Sequence, residues 1–202
     1  MVKYRKKINQ RYQMKLLTMQ EIMLFIIEET RDVDPEITED IILKEAVISH
    51  SEIEKLKNKL RIDTLDEVFA ELILSYNWGN HCFLSYQFGV NDEKTLNWLI
   101  TKNLEYHDYD ILQQLGLMII ATGDPSTILL ECATGKVYAI DSEIAYEDRI
   151  LIADNFDMLV RAMGTGQYAV WNGKESEFIS MIQESVNAKG VEFWQSFVGY
   201  YK

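Results

Sequence analysis

The chain has 202 residues, a net charge of −12, 48% hydrophobic and 26% charged side chains, and two prolines. That length allows a substantial buried core, and that composition excludes a disordered chain. The longest early apolar run, from Ile22 to Ile27, is six residues, against the roughly 20 that a bilayer span needs, so no membrane association is expected.

Charge is unevenly spread. The first twenty residues carry six basic side chains and no acidic one, which leaves −18 on the remainder. Such a field repels nucleic acid and steers a basic partner inward; it is equally what a soluble acidic protein carries. The basic start lacks the apolar stretch and small-residue cleavage site of a secretory signal. Cys82 and Cys132 lie far apart in apolar segments, which reads as two buried free thiols in a reducing cytoplasm.

In chain order, residues 1–45 read as a helical extension. Thr18 and Glu21 have capping-box spacing ahead of Ile22, and Asp34-Pro35 opens a second helix expected to run to about Ala46. Ser51 with Glu54, and Thr64 with Glu67, repeat the capping box before two more helices, the second ending at Gly79. Cys82 to Phe88 is strand-like, and Asn91 or Asp92 starts a helix containing Leu96, Leu99 and Ile100.

An acidic, tyrosine-bearing stretch from Glu105 to Asp110 shows no clear pattern. Three strands then follow, Leu117–Ala121, Thr127–Cys132 and Lys136–Asp141, too closely spaced for crossover helices and therefore antiparallel. Gly123-Asp124-Pro125-Ser126 and Ala133-Thr134-Gly135 supply the turns, with Gly135 at a position that wants a positive φ. Ile150 to Ala153 adds a strand. Asp154 or Asn155 caps a helix carrying Phe156, Leu159, Val160 and Met163, which Gly164 is expected to end. Helices over about 174–189 and 191–200 complete an α+β chain in which an antiparallel, curled sheet packs with helices. The expected organisation is a helical extension over 1–45, a central domain over 46–163 and a helical extension over 164–202.

Chemistry has few footholds. His50, His81 and His107 show no metal-binding spacing, and His81-Cys82 would place adjacent strand residues on opposite faces. Gly164-x-Gly166-x-x-Ala169 matches a dinucleotide fingerprint in form, but a helix precedes it where a strand is required. No cofactor is expected. Asp141, Glu143, Glu147 and Asp148 offer a pair for acid–base hydrolysis, or are solvated loop acids. Asp124, Glu131, Asp141 and Glu143 flank the hairpin ends and are candidates for a partner-binding edge; Trp78 and Trp171, beside glycines in expected loops, are candidate anchors for the same partner.

The ordered set of segments resembles the SUKH superfamily, which includes bacterial immunity proteins and a yeast cell-wall-synthesis regulator. His50-Ser51-Glu52-Ile53-Glu54-Lys55-Leu56 is similar to its opening helix, and Ser75-Tyr76-Asn77-Trp78-Gly79 to the corner after its second. Gly123-Asp124, Ile128 to Glu131, Thr134 to Asp141, and Ile152 to Phe156 with Leu159 are similar to its hairpin and closing helix. The resemblance spans Val47 to Met163, about 117 residues. It departs where Ile62-Asp63-Thr64-Leu65 replaces a leucine-proline pair and where the asparagine-glycine-glycine corner reads Asn77-Trp78-Gly79. It implies a non-enzymatic protein that binds and blocks a basic toxin domain of nuclease or deaminase type. A regulator or scaffold of the same superfamily is the alternative, and a small hydrolase is a third.

Overall fold

In the computed structural model, which describes residues 14–90, 94–185 and 190–199, the first helix, α1 (Met19–Glu29), starts at the expected cap. The Thr18 hydroxyl accepts the Glu21 amide at 3.2 Å while the Glu21 carboxylate accepts the Thr18 amide at 2.9 Å. These bonds satisfy two N–H groups that a helix end otherwise leaves orphaned. Asp34 caps α2 (Pro35–Thr38), but this helix is a single turn and does not run to Ala46. Beyond it the backbone is committed elsewhere: Ala46 N donates to Ser75 O, Ile48 N to Leu74 O, and Asn77 N to Lys44 O. An extended segment paired in this way cannot also make helical i→i−4 bonds.

Two expected caps shift. α3 (Ser51–Leu60) has His50 at its N-cap with no side-chain bond, and Ser51 is already helical. α4 (Glu67–Ser75) is capped by Asp66, whose carboxylate accepts the Phe69 amide at 2.9 Å, rather than by Thr64. α4 ends at Tyr76, because that residue turns extended to bridge Glu45, three residues before Gly79. The strand-like stretch after it is a two-rung hairpin, β1 (Cys82–Phe83) with β2 (Tyr86–Gln87). The expected helix start at Asn91 or Asp92 lies outside the described residues; α5 (Asn97–Leu104) follows. The stretch without clear pattern leads into a short helix, α6 (Tyr109–Gln114).

β3 (Leu117–Thr122), β4 (Ser126–Glu131) and β5 (Val137–Asp141) form the expected antiparallel run, the expected strand β6 (Ile150–Ala153) pairs antiparallel with β5, and with the first hairpin they make an open antiparallel sheet in the order β1-β2-β3-β4-β5-β6. Gly135 turns the β4–β5 hairpin at φ +74°. A bulge in β3 between Ile119 and Ala121 lets Met118, Ile120 and Ala121 all join the main core while Leu117 and Ile119 point to the other face.

Asn155 caps α7 (Phe156–Asn172), its carboxamide oxygen accepting the Met158 amide at 2.8 Å. This helix passes straight through Gly164 and Gly166 and stops at Gly173, φ +63°. The expected stop at Gly164 is therefore absent, and the edge drawn between residues 163 and 164 runs through an unbroken helix. The glycines serve packing: a Cβ at Gly164 would stand 2.6 Å from Ile22 Cδ1, and one at Gly166 would stand 2.7 Å from the Phe197 ring. α8 (Glu175–Ser185) and α9 (Val191–Phe197) close the chain.

One continuous core runs from Met19 and Ile22 through Phe69, Trp78, Ile128 and Phe156 to Phe178 and Trp194. It therefore includes residues of both terminal segments. The opposite sheet face carries a much smaller cluster of Leu112, Leu117, Ile119, Leu129 and Ile140. Both outer strands are covered: Trp194 Nε1 donates to Ile152 O at 3.2 Å beside β6, and Asp40 O accepts the Cys82 amide at 2.7 Å beside β1. Among the described residues, no helix is long and apolar enough to cross a membrane.

Candidate functional site

The structure separates the residues expected to form one acidic edge. Asp141 pairs in register with Ser126, whose hydroxyl donates to its carboxylate, and Asp124 projects from the adjoining β3–β4 turn. Glu143 lies just past Asp141 on the exposed connection to β6. Glu131 lies at the far end of β4, roughly 17 Å away at ~3.4 Å per residue. There it accepts from the Thr134 hydroxyl and stands 4.0 Å from Arg149. Three of the four acids share one end of the sheet and the fourth does not.

The two tryptophans also part. Trp78 is 1% exposed, so its expected role as a surface anchor is overturned. A short 3-10 turn, Trp78–Asn80, folds its ring inward against Phe88 and Phe156, and its Nε1 donates to Leu72 O at 2.9 Å. Trp171 keeps 37% exposure but sits in the last turn of α7, its ring 5.4 Å from Phe25 of α1. That places it in the main helical layer, across the sheet from the face described next.

The small second face is where two acidic segments meet. Tyr146, in the β5–β6 connection, donates its hydroxyl to Asp108 at 2.8 Å and lies 3.4 Å from the Tyr106 hydroxyl, both in the α5–α6 connection. Burial first, then the Tyr106 and Asp108 contacts, raise its pKa, so Tyr146 stays a protonated donor. The bond joins the 105–110 segment, which carries Glu105, Asp108 and Asp110, to the β5–β6 connection, which carries Glu143, Glu147 and Asp148, beside the partly buried rings of Tyr106, Tyr138 and Tyr146; the Asp141 side chain, bonded to Ser126, lies on the other face of the sheet. Leu104, Ile111 and Ile144 are exposed large apolar side chains on the same two segments.

The main cation here is already occupied. Arg149 donates to Tyr146 O at 2.9 Å, stacks 4.6 Å over the Tyr138 ring and faces Glu131, while its buried Nε finds no partner among the described residues. Its charge is turned inward, leaving carboxylates to dominate the rim. A tyrosine-rich apolar floor ringed by carboxylates suits arginine and lysine side chains of a protein partner: the acids supply charge-assisted acceptors and the rings supply area.

Beside this face, a cleft of about 350 Å³ is lined by residues that include Arg61, Thr64, Tyr109, Gln113, Glu131 and Cys132. Its thiol is pushed up to about 12 by burial, which leaves no thiolate for nucleophilic chemistry near neutral pH. Cys82 is likewise pushed up to about 12, by burial and by Asp40 3.7 Å away. Both cysteines are free, Cys132 buried and Cys82 partly so. His81 is fully enclosed by Trp78, Phe83 and Phe88 and points away from Cys82 toward those rings. Among the described residues, no group of three His, Cys, Asp or Glu side chains could hold a metal ion.

Asp108, Tyr106, Tyr138, Tyr146 and Arg149 are the site residues that sequence reading passed over. The signal available was the density of tyrosine and carboxylate from Glu105 to Asp110, which has meaning only once the β5–β6 connection folds against it. Comparison of the chain with family models, with curated proteins and with solved structures finds no match.

Proposed function

We propose that the protein is a binding protein whose partner is a basic protein domain, engaged through the acidic, tyrosine-floored face formed by residues 105–110 and 141–148. The observation that carries this reading is the Tyr146–Asp108 hydrogen bond, which joins two acidic segments over the thinly covered side of the sheet. The net charge of −12 favours encounter with a basic surface at long range, and the tyrosines offer rigid contact area at short range. With the resemblance to the SUKH superfamily, this reading becomes a cytoplasmic immunity protein. It neutralises a toxin of nuclease or deaminase type by occupying the basic surface that such a toxin presents to phosphates.

The test is co-expression with the toxin domains encoded beside its gene. The expected outcome is rescued growth and an isolable complex, with both lost or weakened at least tenfold on pairing Glu143→Lys with Asp148→Lys. These two side chains are exposed, so the fold should survive the double change. Rescue that is insensitive to the double reversal would relocate the interface, and the absence of rescue with every neighbouring toxin would overturn the immunity reading.

A further inference from the structure

Lys102 lies on α5, over the point where the first hairpin joins the rest of the sheet. Gln87 and Thr122 form the single register pair between β2 and β3. The Lys102 side chain reaches both, its Nζ 3.5 Å from Gln87 O and 3.3 Å from Thr122 Oγ1. Among the described residues it makes no ion pair. An ammonium withdrawn from water without a counter-charge is costly, and the usual relief is loss of the proton. Burial accordingly lowers this lysine from 10.5 to about 8. Near pH 7 this leaves roughly a tenth of it neutral, far more than in an ordinary lysine, and that form has two N–H donors for the two neutral acceptors and an unused lone pair.

The same side chain lines a cleft of about 270 Å³ together with Gly89, Val90, Trp98 and Glu105. The indole and the valine make the lining mainly apolar, and the volume suits a compact ligand. The Glu105 carboxylate repels anionic ligands, as does the net charge of the whole chain. What remains chemically suited to an uncharged amine in such a cleft is an uncharged electrophile.

We propose that this cleft captures a small uncharged aldehyde or ketone as an imine on Lys102. The Nζ lone pair adds to the carbonyl carbon while the C=O π pair moves to oxygen and takes up a proton. The resulting carbinolamine loses water as the C=N bond forms. One water is released, no oxidant or reductant is consumed, and the step reverses on hydrolysis. Glu105, on the same cleft, is the group placed to pass the protons. The cleft shares Glu105 with the 105–110 segment of the partner-binding face, but the readout, an adduct on Lys102, does not depend on that reading.

Benzaldehyde followed by sodium borohydride traps such an imine as a stable secondary amine, which peptide mass mapping locates. Across pH 6 to 10, Lys102 should label with a midpoint near 8 and, at pH 7.5, at least about tenfold faster than the exposed Lys94 and Lys136. Lys102→Met, uncharged and of similar length, should remove only this adduct, with the circular-dichroism spectrum unchanged. Glu105→Gln should slow labelling of Lys102 and of no other lysine. Labelling of Lys102 at the rate of the exposed lysines, with a midpoint near 10, would overturn the proposal, as would full-rate labelling in Glu105→Gln for its proton-transfer part.

Discussion

His81 is 0% exposed and surrounded by Trp78, Phe83 and Phe88, and among the described residues neither ring nitrogen makes a hydrogen bond of good geometry. Burial lowers its pKa from 6.5 to about 3, only slightly offset by the nearby Asp40 carbonyl. The folded state therefore holds the neutral form. Its stabilising contribution is full above pH 6.5 and is lost progressively as pH falls through that value toward 3, at up to about 1.4 kcal/mol per pH unit. Denaturant unfolding at pH 7, 6, 5 and 4 should show His81→Phe losing less stability per unit than the parent protein; equal slopes would refute this account. Gly135 offers a second residue-scale test. Its φ of +74° disfavours any side chain, and an added Cβ would stand 2.5 Å from Cγ of Asp66, the residue that caps α4. Gly135→Ala should cost about 1–3 kcal/mol by urea unfolding, from backbone strain and a disturbed cap together. The positive φ at Gly135 was legible in the sequence because a three-residue hairpin loop demands it. The Asp66 contact was not, since it joins residues 69 positions apart.

At the scale of elements, α7 reverses the usual meaning of glycine. In an exposed helix interior, glycine to alanine stabilises by about 1 kcal/mol. Here Gly164 lies against Ile22, which is fully buried and has nowhere to move, and Gly166 lies against Phe197 and Phe178. Gly164→Ala and Gly166→Ala should each destabilise the protein by about 1–3 kcal/mol through overpacking. Adding Ile22→Val to Gly164→Ala should recover part of the loss. If either alanine variant raises the urea midpoint, the close-packing account of α7 is wrong. The same helix shows why a stop was expected at residue 164: glycine ends helices when it takes a left-handed φ, and nothing local distinguishes that from glycine admitting a neighbouring helix. Gly173, in the left-handed conformation at φ +63°, is the position that does end α7.

For the whole molecule, the excess of acidic charge and the joined segments 105–110 and 141–148 imply an association that salt weakens through its on-rate. Raising ionic strength from about 0.05 to 0.5 M should slow association with a basic partner tenfold or more while changing dissociation little. Tyr146→Phe should act the other way round, speeding dissociation while leaving the salt dependence nearly intact, because it unties the two segments without altering charge. Stopped-flow or surface-binding kinetics separate these effects. An on-rate unaffected by salt would dismiss electrostatic steering.

The sequence by itself determined the α+β class, the antiparallel run from β3 to β5 and the cap at Thr18, and narrowed the α7 cap to Asp154 or Asn155, because each depends on residues within a few positions of one another. Capping bonds span three residues, and hairpins span one short turn. Only the tertiary structure decided that Trp78 faces Phe156 rather than solvent and that α2 stops after one turn. Each of these outcomes rests on a partner distant in the chain. The acidic, tyrosine-floored face belongs to the same class: its carboxylates are all visible in the sequence, but the Tyr146–Asp108 contact that joins them spans 38 residues and forms only when the sheet presents its second face.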